Sequence, residues 1–493
     1  MDADKQKKRN LIMFPLGTIG RDMVYNLFTN YMLTFILFTR VLTSAQLGAI
    51  TAIMVAARVF DALNDPIMGN IIERTRTRWG KFKPWLLIGI LSTSVVVYAA
   101  FNTKLQGWSF VWFFGFIYFM YSITYTMNDI SYWGMIPALS SDANSRNQFT
   151  SRTTLFAGIG GTLASILIPI LTTGKGAIGG STATAYGIVA LVICILSPAF
   201  LCFTLFGVRE NRSDMAEPAP RISLKMIART IAGNDQLLWI SLIFLIQQIG
   251  NGIIAGGMGS TYIYFEFGYQ GGLYSLFTTI GMAATAFLMI FYPAISRKIH
   301  RKKLMGMMQI LSIGGYAMML IAGLALPSTM LKFYIITIGY MLSSFGQYCF
   351  YLIMMISIIN TVEYNELEKG TRSEAIIASL RPFLTKLGSA IIVAITSASY
   401  LIFGVTKFTN SISELENEAA MGLVTESDKL LSIENVLSNV QNSQTIGLLL
   451  SMTVLPCALM LISYFLYIKH YKLDEEEYER ICRELEIRKA GAK

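Results

Sequence analysis

Residues 58 to 70, RVFDALNDPIMGN, place Arg58, Asp61, Asn64 and Asp65 within two helical turns of an otherwise apolar run. Asp61 and Asp65 are spaced i, i+4, which puts them on one helical face about 6 Å apart along the axis. Two carboxylates this close in a poorly hydrated site stay ionised together only if something positive joins them. A small cation or a proton meets that need. Arg58, three residues before Asp61, offers a purely structural alternative, a bridge that neutralises part of the pair. One Arg leaves a surplus negative charge. Asn64 supplies an amide oxygen, and hard alkali-type cations take carboxylate, amide and hydroxyl oxygens.

A second constellation lies in TYTMNDISYWGMIP, where Thr126, Asp129 and Trp133 follow an i, i+3, i+7 pattern and share a face. A carboxylate that accepts from two hydroxyls, beside an aromatic plate for a ring's apolar face, suits a carbohydrate. Trp133 also fits the interfacial belt, since it falls near the end of its span. Arg21 and Asp22 are neighbours in another apolar run. They point about 100° apart, so a mutual ion pair is expected to be awkward, and Asp22 is taken as the residue facing a cavity. Arg152 is either an anchor that snorkels or a fork for sugar hydroxyls. In SLRPFLTKLGS, Arg381, Pro382 and Lys386 share a segment that Pro382 should kink, as a moving gate would require.

These residues need helices that cross a bilayer. The chain has 493 residues, 54% of them hydrophobic and 14% charged, with a mean hydropathy of +0.52, and so lies outside the soluble range. Twelve spans of about 20 or more residues are expected at 11–39, 45–71, 84–103, 108–138, 152–173, 184–206, 238–265, 271–296, 304–326, 333–362, 374–404 and 442–468. The basic segments KQKKR, RTRTRWGKFK and RKIHRKK fall on one side, which places both termini in the cytoplasm of a plasma-membrane protein. The net charge of +10 then reflects orientation in the lipid bilayer and gives no reason to invoke nucleic acid. The first apolar run contains Arg21 and Asp22 and reads as an uncleaved span, not a signal peptide. Five cysteines, four of them in spans, indicate no disulfide framework.

The expected organisation is an N-terminal six-helix bundle over 1–206, which holds the cation site and most of the sugar site. A cytoplasmic connection over 207–237, a C-terminal six-helix bundle over 238–468 and a cytoplasmic tail over 469–493 follow. Such halves usually bind solute near the bilayer midplane. A membrane enzyme is disfavoured, because His300 and His470 fall in loops and no metal-ligand spacing occurs. The acidic stretch 405–441 between the last two spans is expected to be a loop, with an external flap as one reading.

Three segments, RVFDALNDPIMGNIIERTRTRWGKFKPW, YTMNDISYWGMIPAL and INTVEYNELEKGTRSEA, together resemble the glycoside-pentoside-hexuronide:cation symporters of the major facilitator superfamily, most of all the melibiose-permease branch. The resemblance covers nearly the whole chain. It implies an all-α membrane protein of twelve helices that carries a sugar or glycoside together with a monovalent cation; no cofactor is expected, and a monomer is the expectation although the sequence does not fix the oligomeric state. Asp61 and Asp65 are then ligands of Na+, Asn64 a selectivity residue and Thr126 a further contributor. Asp22, Asp129, Trp133 and Arg152 match the sugar-recognition set. Lys386 matches a lysine near both sites, and Arg21 replaces a lysine. Tyr351 stands where a tryptophan is usual, while Arg381 and Pro382 replace neutral polar residues, which leaves a neutral or an acidic sugar open. Sodium is the first expectation for the coupling ion, with H+ and Li+ as alternatives. A carrier of lipid-like solutes would share the fold but would replace Asp22, Asp129 and Trp133 with an apolar cavity.

Overall fold

The computed structural model describes residues 3–139, 143–209, 224–296, 298–370 and 374–491. Residues 210–223 of the expected connection over 207–237 lie outside them. The described residues are almost wholly helical. In chain order they form α1 (Ala3–Thr39), α2 (Ser44–Arg74), α3 (Lys83–Asn102), α4 (Gly107–Leu139), α5 (Ala143–Thr172), α6 (Thr182–Gly207), α7 (Leu224–Gly233), α8 (Asp235–Gly252) and α9 (Gly259–Phe267). Then come α10 (Gly271–Ser296), α11 (Arg301–Ala325), α12 (Met330–Lys369), α13 (Glu374–Ile402), α14 (Val405–Ala420), α15 (Glu426–Ser438), α16 (Asn442–His470) and α17 (Glu475–Gly491). Among the described residues, ten helical stretches are long and apolar enough to cross a membrane. The expected first span falls in α1, which is 37 residues long and carries Arg21 and Asp22 midway.

Two departures from the expected spans have local causes. The seventh is broken: α8 and α9 are joined by a π-turn at Ile254–Met258, where Gly257 takes φ 114°. Only glycine enters that region without a steric penalty, so the interruption is written into the sequence at Gly256-Gly257. The stretch 405–441, expected as a loop, contains α14 and α15. Thr425 caps α15 by accepting from Asp428 N, and Val405, Phe408 and Ile412 give α14 a buried apolar stripe.

The chain divides into two compact units. The first comprises residues 1–221, 263–276 and 400–441; the second comprises 222–262, 277–399 and 442–493. In the first, α1 packs against α5 and α6, α2 against α4, and α3 against α4 and α6. Helices approach closely in lipid only where side chains are small, because there is no gain from burying apolar groups against one another. Gly20 shows this directly: a Cβ there would lie 2.5 Å from the Cα of Ser197 on α6. α4 is pinned by Asn128, which is wholly buried and donates from Nδ2 to Leu86 O on α3 at 3.0 Å. α2 opens with a reciprocal cap, Thr43 Oγ1 accepting from Gln46 N and Gln46 Oε1 from Thr43 N. In the second unit α11 packs on α12 and α16, α8 on α12 and α16, and α17 on α12. α17 is tied by ion pairs from Arg301 to Glu475 and from Lys302 to Asp474.

Gly20→Val should force α1 away from α6 and cost roughly 1–3 kcal/mol or more by overpacking. Thermal unfolding in detergent checks this, with a lowered midpoint expected.

Candidate functional site

In the first unit, α2 and α4 meet in a two-rung polar ladder. Ser122 Oγ donates to Asp61 Oδ1. One turn further along both helices, Thr126 Oγ1 donates to Asp65 Oδ1 at 3.3 Å. Each rung links positions 61 apart in the chain, so the two helices run in the same direction and the i, i+4 spacing of the acids meets an i, i+4 spacing of hydroxyls. Asp61 is buried, at 6% exposure, and Asp65 is half-buried. Arg58 is also buried, with Nη1 3.8 Å from Asp61 Oδ2 and its guanidinium 5.9 Å from the centre of the Tyr118 ring. At that separation it attracts Asp61 without closing a hydrogen bond. The amide Nδ2 of Asn64 is buried with no hydrogen-bond partner. That side chain carries an amide oxygen as well as the unused nitrogen. Among the described residues no three His, Cys, Asp or Glu side chains group so as to hold a metal ion. Ser122 was not among the expected site residues. The signal for it is S-x-x-x-T at 122–126, the same spacing as D-x-x-x-D at 61–65.

The face of α4 that carries Ser122 and Thr126 continues to Asp129 and Trp133, and there it meets α1. Arg21 donates from Nη2 and Nε to Asp22 Oδ2 at 2.8 and 3.1 Å, and its Nη1 lies 3.2 Å from Asp129 Oδ1. The expectation that adjacency would keep Arg21 and Asp22 apart is therefore corrected. A helical wheel treats side chains as radial, whereas the long, flexible arginine stem curls around the helix to its neighbour. The guanidinium also lies over Tyr132 and Trp133, at 5.0 and 5.4 Å from the ring centres. Arg21 is 3% exposed, Asp22 20% and Asp129 37%, so the arginine is the buried hub and both carboxylates keep an open side. Trp133 is half-buried beside them. Arg152, near the start of α5, is exposed and donates from Nη1 to Leu11 O at 3.3 Å.

The remaining expected residues lie in the second unit. Arg381 is exposed on α13 and donates from Nη2 to the Tyr351 hydroxyl at 2.8 Å, with its guanidinium 6.0 Å from the centre of that ring. Tyr351 packs beside Phe244 and Tyr348. Lys386 is half-buried farther along α13, past Pro382.

A family model described as MFS/sugar transport protein matches residues 13–475. The lactose permease of Leuconostoc lactis is 29% identical over 434 residues, which cover 82% of this chain and 65% of that protein. The raffinose carrier protein of Pediococcus pentosaceus is 26% identical over 497 residues, covering 96% of this chain and 71% of that one. The chain thus spans 65% and 71% of the length of these relatives. Among solved structures it resembles an inward-facing bacterial homolog of the human lysosomal transporter Spinster, with TM-score 0.62, 13% identity and coverage of 97% of this chain and 98% of the other. It also resembles a D-xylose-proton symporter, with TM-score 0.58, 12% identity and coverage of 89% and 99%. At these identities the structural likeness is one of fold.

Replacing the buried hub tests the α1–α4 arrangement. Arg21→Met leaves Asp22 and Asp129 without their shared cation and should cost roughly 2–4 kcal/mol, somewhat less than a fully enclosed pair because Asp129 is partly open. Adding Asp129→Asn should recover part of the loss, and a double-mutant cycle on thermal unfolding measures the coupling.

Proposed function

Because the chain belongs to the MFS/sugar transport protein family, we propose that it is a secondary transporter which carries a sugar or glycoside in symport with Na+ by alternating access. The observation that carries the proposal is the single face of α4. Ser122 and Thr126 serve the acids of α2, and Asp129 and Trp133 meet Arg21 and Asp22 of α1. Seven residues, or about 10 Å along the helix, separate Ser122 from Asp129. One rigid element therefore touches both candidate ligand sets, which is the simplest physical route for each ligand to sense the other. Linkage makes that coupling reciprocal.

Sodium is favoured over a proton by the oxygen donors. A proton needs one carboxylate, whereas Asp61 and Asp65 with the hydroxyls of Ser122 and Thr126 offer the hard oxygens that a metal cation takes, and Asn64 of the same helix can add an amide oxygen. For the sugar, the open sides of Asp22 and Asp129 accept from hydroxyls, the buried Arg21 guanidinium holds the two carboxylates in place and Trp133 offers an apolar plate. This polar set favours a hydroxylated solute over a lipid-like one. The names of the relatives make neutral glycosides of the lactose or raffinose kind the first class to test. An acidic sugar is the second reading, favoured by the exposed guanidinium of Arg381. A monovalent cation moving through ~100 mV supplies about 2.3 kcal/mol, and a tenfold gradient adds about 1.4. Together they bound accumulation at several-hundred-fold.

Radiolabelled uptake over a glycoside panel, with Na+, Li+ or H+ gradients, tests the reading; uptake of no glycoside under any of them would overturn it. Asp61→Asn should keep sugar binding and lose stimulation by sodium, while Asp129→Ala should abolish sugar binding, as read by equilibrium binding to purified protein. Ser122→Ala removes one donor to a buried carboxylate. It should raise the sodium concentration for half-maximal stimulation about fivefold, equivalent to ~1 kcal/mol, and leave sugar affinity at saturating sodium within twofold. A sodium response unchanged by all these substitutions places the cation elsewhere.

A further inference from the structure

The helical pair α14–α15 is built to fit the ends of two helices. The last carbonyls of a helix and its first N–H groups have no partners inside the helix, and α14 supplies them. Ser413 Oγ donates to Leu37 O at 3.0 Å and Asn417 Nδ2 to Thr39 O at 3.1 Å, both in the last turn of α1. The Asn410 amide clasps the residue chain beyond it, donating to Leu42 O at 2.8 Å and accepting from Leu42 N at 3.0 Å. At the first residue of α6 the donors and acceptors reverse: Glu416 Oε2 accepts from Thr182 N at 2.7 Å, the sign that a helix N-terminus favours. Lys429 of α15 closes the arrangement, donating to Gly180 O at 2.7 Å and pairing with Glu416 at 3.2 Å, and both charged side chains are 0% exposed. Donors meet the end of α1 and a carboxylate meets the start of α6, so the match is to helix polarity as well as to shape.

The connections on either side are short. Two residues, Phe403 and Gly404, separate α13 from α14, and three, Asn439 to Gln441, separate α15 from α16. Fully extended, three residues reach about 10 Å. Nearly all of α13 and the whole of α16 belong to the second unit, whereas α14–α15 belongs to the first. The segment is thus anchored by side chains to the ends of α1 and α6, and only two and three residues join it to α13 and α16.

We propose that α14–α15 is a releasable strap, and that its detachment from the ends of α1 and α6 is an obligatory step of the transport cycle. This rests on the alternating-access reading above. The device is specific to the polar anchors at Asn410, Ser413, Glu416, Asn417 and Lys429, and needs no part of the cation or sugar sites.

Ser413 is buried on the docked face of the strap and differs from cysteine by one atom, so Ser413→Cys reports release. In membrane vesicles a permeant maleimide should label this variant several-fold faster with Na+ and a transported sugar present than with neither, after subtraction of the parent protein with its native cysteines. A Leu42→Cys/Asn410→Cys pair, once oxidised, should reduce uptake to less than a tenth, with recovery on reduction. Labelling that stays at the parent level during active uptake, or an oxidised pair that transports at the parent rate, would show that the strap stays docked and overturn the proposal. Sugar binding and uptake by the unmodified chain are measured alongside. Their absence defeats the transport reading; their presence without labelling defeats the strap alone.

Discussion

A carboxylate surrounded by apolar helices has to be met by donors or cations that arrive from neighbouring helices. In the first unit this one requirement fixes how α1, α2 and α4 face each other. Asp61 and Asp65 on α2 draw the hydroxyls of Ser122 and Thr126 on α4 into register. Asp22 on α1 and Asp129 on α4 converge on the buried guanidinium of Arg21. A one-residue slip of α4 would turn its polar face by about 100° and break both sets together.

The rest of the unit holds α4 in that position. Asn128 fixes it to α3 from the flank of the same helix, and Gly20 lets α1 lie against the backbone of α6. The ends of α1 and α6 are in turn finished by α14 and α15, which arrive from more than two hundred residues away in the chain. Polar groups thus do two kinds of work here. Within the spans they set register between helices, and beyond the spans they satisfy helix ends.

The spans were legible in the sequence because transfer of apolar residues into hydrocarbon is additive along the chain and needs no knowledge of neighbours. Spacing along one helix was equally legible: the pairing of Asp61 with Asp65 and the run from Thr126 to Trp133 follow from 3.6 residues per turn, and the structure keeps both on continuous faces. The break between α8 and α9 was available in Gly256-Gly257 but was hidden inside an apolar run that scores as one span.

What tertiary structure alone decided is which faces meet. A serine in a span ordinarily donates to its own helix, as Thr124 does to Met120 O, so Ser122 carried no mark of its bond to Asp61 until α2 lay beside α4. Arg21 looked badly placed for Asp22 on a wheel; only the crowding of Asp129, Tyr132 and Trp133 around it shows where its long stem is drawn. The stretch 405–441 read as an acidic loop because its binding partners, the unpaired carbonyls of α1 and the first N–H of α6, are backbone groups that no side-chain pattern can announce. Sequence determines what each helix offers on its surface. The fold decides which offers are taken up, since burial and hydrogen bonding between distant segments depend on positions that exist only after packing.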